Sequence, residues 1–223
     1  MSNPAAQLAA QLCSSKGLRP TSEWLSNFIA TQRSTTPLQS LVQTASFRIL
    51  STDITTALRR DVSLPVDISD PNVPTRTLNG SIPVQVLGVE DISRSRWEQI
   101  EAIEAIERGE ATRGREIIRL PIESENGQDE GASTTRGGVH RLILQDASGI
   151  RAYGVELHAI EGVGLGMSIG SKYLLNEAIA SRGIILLEPK TMKSLGGRIE
   201  SFHQQWKQNR KQDLKDGIRA QDS

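Results

Sequence analysis

The sequence predicts an α+β chain: a small N-terminal helical bundle, then a five-stranded barrel with a long insertion between its first two strands, and a closing C-terminal helix. Three observations predict it. Apolar residues recur at helical spacing up to about residue 65. Short valine- and isoleucine-rich runs bounded by turn residues fill residues 82–188. Ile199, Phe202 and Trp206 then fall at i, i+3, i+7, one stripe able to pack on a sheet.

The elements follow in order. Ala5, Leu8, Ala9 and Leu12 mark a first helix that Gly17 and Pro20 end. Thr21 is suited to cap a second helix, with Glu23 in its first turn and Trp24, Leu25, Phe28 and Ile29 as its stripe. Thr36-Pro37 starts a third, whose buried face is Leu38, Leu41, Val42, Ala45 and Ile49. A short turn, Ser51 to Leu58, carries Ile54 and Leu58. Residues 66–80 hold Pro71, Pro74 and Gly80 just after Pro65 and read as a turn-rich connector between domains 1–65 and 81–206.

Ile82 to Ile92 is the first strand, with Gly88 at a bulge or bend. Val139 to Gln145 is the second, and Asp146-Ala-Ser-Gly149 a tight turn. Arg151 to Ile160 is the third, with Tyr153, Val155 and Leu157 on one face, assigned to the core, and Gly154, Glu156 and His158 on the other. Lys172 to Asn176 and Gly183 to Glu188 complete five antiparallel strands, which suit the OB-fold. Pro189 to Gly197 reads as a turn, and residues 207–223 as a polar tail that frays. The insertion, about residues 94–138, is far longer than a hairpin loop. In it Ser95-Arg-Trp-Glu98 is a capping-box pattern opening a helix to Gly109. Arg115 to Ile122 is an apolar patch, and Ser124 to Gly138 is polar, glycine-rich and expected to be mobile.

Composition narrows the function. The 26 basic and 26 acidic residues cancel, whereas a protein living by phosphate contacts is usually basic. The bundle carries +3 and the insertion −3. Cys13 is the single cysteine, and His140, His158 and His203 lie too far apart for a local metal motif, so neither disulfide nor metal nor cofactor is expected. No apolar run reaches the ~20 residues of a membrane span, and the N-terminus has no basic start or apolar segment like a secretory signal. A reducing compartment, cytosolic or nuclear, is expected.

Candidate chemistry is sparse. Gly162 to Gly170 resembles a phosphate loop, but position 167 is Met167 and no Gly-Lys-Ser/Thr follows, so a flexible loop is the reading. Glu156 and His158 lack a nucleophile and read as a solvated pair. Glu98, Glu101, Glu104 and Glu107, interleaved with arginines, read as an exposed helix face. Trp24 and Trp206 read as core. Trp97 is open to two readings, packed back on the barrel or offered to a partner. The insertion also carries Ile100, Ile103, Ile117, Ile118, Leu120 and Ile122, more apolar surface than a solvated loop should show, which suits a covering partner. A nucleic-acid-binding barrel is the main competing reading, and bases usually stack on aromatic side chains there. Residues 82–197 hold only Trp97, Tyr153 and Tyr173, with Tyr153 assigned to the core.

The ordered motifs carry a resemblance. Ser51-Thr-Asp-Ile-Thr-Thr-Ala-Leu-Arg59 precedes Leu64-Pro65. Asn79-Gly80 leads into Pro83-Val-Gln-Val-Leu-Gly-Val-Glu-Asp-Ile-Ser93. Leu142-Ile-Leu-Gln-Asp-Ala-Ser-Gly149 is followed by Tyr153-Gly-Val-Glu156, and Ile184-Ile-Leu-Leu-Glu-Pro-Lys-Thr-Met-Lys-Ser-Leu-Gly-Gly197 closes the barrel. Over roughly residues 21–206 this resembles the RecQ-mediated genome instability protein (Rmi) family. The resemblance implies a nuclear, non-enzymatic subunit of a RecQ helicase–topoisomerase III complex. That complex dissolves double Holliday junctions in recombination, repair and replication. It implies that the OB-fold binds topoisomerase III and that the insertion reaches the enzyme's gate. Lys172, opening a strand, is then expected to present its ammonium to an acidic patch of the partner. Weak DNA contact through the bundle or the tail stays open, and no membrane contact is expected.

Overall fold

The computed structural model describes residues 4–33, 35–108 and 138–220. Four helices come first: α1 (Pro4–Lys16), α2 (Ser22–Ala30), α3 (Leu38–Leu50) and α4 (Ile54–Ala57). Thr21 caps α2 by accepting from Trp24 N at 3.1 Å. Asp53 caps α4 through Thr55 N at 2.9 Å. Proline occupies the position before α3, which has no side-chain cap. Leu8, Leu12, Leu25, Phe28 and Ala45 form the bundle core, with Trp24 stacked on Phe28 at 5.3 Å.

Eight strands follow: β1 (Arg76–Thr77), β2 (Ser81–Asp91), β3 (His140–Asp146), β4 (Arg151–Glu156), β5 (Lys172–Asn176), β6 (Ile179–Ser181), β7 (Ile184–Leu187) and β8 (Met192–Gly196). They pair in the order β1-β6-β7-β4-β3-β2-β5-β8. The five expected strands are all present, but β4 and β7 pair in parallel rather than antiparallel. The segment read as a turn is β8, because Met192 pairs with Leu175 and fills the core. The connector is no free linker: Ile68 and Leu78 are buried in the barrel core, and Leu64 N donates to the Asp146 carboxylate at 2.7 Å.

The third strand has the opposite parity to the expected one. Ala152, Gly154 and Glu156 face inward, while Tyr153 and Leu157 are about half exposed. The cause is packing. A β-carbon on Gly154 would lie 2.8 Å from Leu187 Cδ1 and 3.1 Å from Leu144 Cδ1. The core volume there is already filled from β3 and β7, so at that point β4 turns Ala152 and Gly154 in and Tyr153 out. The glycine-rich stretch after β4 is likewise no slack loop, since Met167 and Ile169 are core residues.

Among the described residues two further helices follow: α5 (Arg96–Glu107) inside the insertion and α6 (Glu200–Arg219). The capping box expected at Ser95 and Glu98 is present. The expected polar tail is helical to Arg219, because α5 lies against it. Lys211 pairs with Glu104 at 3.1 Å and Glu107 at 2.7 Å, and Lys215 with Glu104 at 3.3 Å. Leu214 is buried, and Arg96 donates to Gly217 O at 2.8 Å. Two of the glutamates read as a solvated face are thus ion-paired to α6.

Candidate interaction surfaces

Lys172 does not stand on the surface, contrary to the sequence expectation. It is 2% exposed, and its Nζ donates to Leu50 O at 2.9 Å and Gly170 O at 2.8 Å. Leu50 ends α3, so the amine meets the carbonyl pole of a helix. Burial lowers its pKa from 10.5 to about 7, with the charge of Asp53 opposing the shift. A neutral amine has two N–H donors, which match the two carbonyls. Beside it Gly197 has φ +94°, and a β-carbon there would overlap the Leu50 carbonyl. Gln85 accepts from Ile54 N at 3.1 Å across the same contact. Lys172 is therefore part of the joint between bundle and barrel, and no acidic partner reaches its ammonium while that joint is closed.

The root of the insertion is equally built. Asp91 and His140 are register partners at the ends of β2 and β3. Glu156, read as solvated, is 6% exposed. Its Oε2 accepts from His140 N at 3.1 Å and lies 2.7 Å from His140 Nδ1, and its Oε1 accepts from Ile160 N at 3.0 Å. His158 is exposed and takes no part. Asp91 accepts from Ser93 N at 2.9 Å, and its O accepts from Gln99 Nε2 at 2.7 Å. These hydrogen bonds hold the start of α5 to the barrel rim.

On α5 the apolar residues divide. Ile100 is buried and Ile103 half-buried, so both pack inward rather than outward as the partner reading requires. Trp97 is 67% exposed and Ile106 70%, so Trp97 is not packed back on the barrel. Ile117, Ile118, Leu120 and Ile122 lie outside the described residues. So do the Arg115 to Ile122 patch and most of the stretch expected to be mobile.

A groove of about 840 Å³ lies between α6 and the outer face of β2, β3 and β4. Trp206, assigned to the core from sequence, is half-buried and lines it, lying against Gly88. Tyr153 lines it too, with the Arg141 guanidinium 4.8 Å above its ring. Arg210 sits 5.4 Å over Trp206. Tyr153, assigned to the core from sequence, is instead an accessible aromatic on this outer face. Sequence reasoning missed the groove because it depends on strand parity and on how far α6 extends.

At the base of α6, His203 is 5% exposed and its Nδ1 accepts from Ile169 N at 3.2 Å. Burial first, then the charges of Arg198 and Lys207, holds its pKa below the ordinary imidazole value. Among the described residues no cluster of His, Cys, Asp or Glu is placed to hold a metal ion, and no helix is long and apolar enough to cross a membrane.

Comparison with known proteins agrees with this architecture. A family model described as the RMI1 N-terminal OB-fold domain matches residues 64–210. One described as the RMI1 N-terminal helical domain matches residues 13–57. The chain is similar to RecQ-mediated genome instability protein 1 of Schizosaccharomyces pombe, 25% identical over 202 residues, covering 83% of this chain and 85% of that protein. It is also similar to RecQ-mediated genome instability protein 1 of Mus musculus, 26% identical over 144 residues, covering 64% of this chain and 21% of the mouse protein.

Proposed function

This chain belongs to the RMI1 family, and from that premise we propose that it is a non-catalytic, nuclear scaffold and regulator of a RecQ helicase–topoisomerase III complex. The relatives' name places them in RecQ-mediated genome stability, and the same role is proposed for this chain. The finer reading is that the barrel binds topoisomerase III and the insertion biases the enzyme's gate, favouring decatenation and double Holliday junction dissolution. The observation that carries it is the mounting of α5. The insertion begins on a helix fixed to the barrel by Gln99 and to α6 by Arg96, yet it leaves Trp97 and Ile106 bare. Exposed apolar side chains on a rigid mount suit a covering partner. A docked segment shifts an opening equilibrium only if it binds open and closed states differently.

The test removes residues 109–137 in favour of a short Gly/Ser linker and, on the retained α5, replaces the exposed Trp97 and Ile106 with serine. Barrel folding and much of the topoisomerase III binding are expected to persist, while decatenation and junction dissolution fall and simple relaxation changes less. Unimpaired decatenation by the shortened protein at saturating concentration overturns the gate reading. It would leave the barrel as a tether.

A further inference from the structure

We infer that the groove between α6 and the barrel is a docking site for a short peptide segment that is both acidic and apolar. Four arginines and two carboxylates line it, and no lysine does. One carboxylate, Glu90, is already consumed by both Arg96 and Arg141. The other, Asp213, sits where burial and the neighbouring Asp216 raise its pKa. Arg151 and Arg210 have no hydrogen-bonded or ion-paired side-chain partner among the described residues. For Arg210 this is a physical anomaly. It is half-buried and desolvation lowers its pKa; the Trp206 ring and the charge of Asp91 face it, but no carboxylate pairs with it among the described residues. A partly desolvated guanidinium costs free energy until an anion pairs with it. The missing group is a carboxylate brought from outside.

The floor supplies the second half of the chemistry. Leu87, Ile143, Tyr153, Phe202 and Trp206 face the groove. The apolar row continues across the sheet, because Ile143 pairs with Tyr153 and Tyr153 with Ile184, each at least 36% exposed. Tryptophan, tyrosine and arginine around an apolar floor are the residue types that dominate binding energy at protein interfaces. Arginine in place of lysine favours planar, bidentate pairing with carboxylates.

A single strand of nucleic acid fits less well. A phosphodiester track needs a run of cations, and this groove has two arginines, Arg151 and Arg210, without a carboxylate partner among the described residues. Base stacking needs a free ring face. Trp206 has Arg210 over its ring and Gly88 beside it, and one face of Tyr153 is taken by Arg141. The occupant is therefore a protein segment carrying Asp or Glu beside Leu, Phe or Trp. This inference is independent of the topoisomerase reading.

The experiment is selection of a phage-displayed library of random peptides, each about twelve residues long, on the whole chain. Fluorescence anisotropy with the strongest peptide follows. Enriched peptides are expected to combine acidic with large apolar residues. Arg151→Glu and Arg210→Glu should each weaken the selected peptide by about tenfold or more, while Arg60→Glu on the bundle leaves it unchanged. Arg151 is exposed, so its reversal leaves the fold intact even if the Arg210 variant proves unstable. A library that yields no enrichment, enriched peptides without acidic residues, or binding indifferent to the Arg151 reversal overturns the inference. Binding of oligo(dT) of about twenty nucleotides that the same reversals abolish also overturns it, in favour of nucleic acid.

Discussion

At the scale of the residue, the informative groups are buried polar side chains. Lys172 has a depressed pKa in the fold, so the unfolded chain holds its proton to higher pH. Stability contributed by this site therefore rises as pH climbs from about 7 towards 10.5. Wild type should gain a few kcal/mol over Lys172→Met across that range, read as urea midpoints at stepped pH. Parallel curves for the two proteins would mean that the amine is not desolvated. Glu156 makes a second case. Glu156→Ala strands two buried backbone N–H groups and should cost about 3 kcal/mol, with Glu156→Gln restoring only part; a loss below about 1 kcal/mol would show that water replaces the carboxylate. Neither role was legible in the sequence. Lys172 and its acceptor Leu50 are 122 residues apart, and local pattern says nothing about such a pair. The caps at Thr21 and Ser95 were legible because each involves a partner three residues on.

Elements show the same division between local and distant causes. Helical stripes, strand runs and the capping box follow from spacing within one segment, so their positions were readable. The parity of β4 was not, because Tyr153 and Val155 look like core until Leu144 and Leu187 are seen to occupy the space over Gly154. The far end of α6 was lost for a related reason. Its outer half is polar, and polarity predicts fraying unless a second helix supplies the opposite charges. Ion pairs at such exposure are individually weak, so α5 and α6 hold each other by number, by Leu214 and by the Arg96 to Gly217 contact. Truncation after Trp206 should therefore leave the barrel folded but strip hydrogen-exchange protection from the amides of α5. Retained protection would show that Gln99 and Ile100 suffice to hold it.

The whole molecule is less divided than its sequence suggests. A proline-rich connector invites a boundary, yet Leu18, Ile49, Leu50, Ile54, Ala57 and Leu58 of the helical region share one buried cluster with Ala147 of the barrel. Bundle and barrel should unfold in a single calorimetric transition, and barrel residues 64–220 alone should melt lower. Two well-separated transitions would show that the shared cluster is incidental. The pairing of Asp91 with His140 has one more consequence. The barrel ladder itself brings together the points where the insertion leaves and returns, so closing the excursion asks nothing further of the core. Doubling its residue count would add only about 0.6 kcal/mol of closure entropy. Most loops tie heading and span together. Here the heading belongs to two braced helices, and the span is a free variable of the chain.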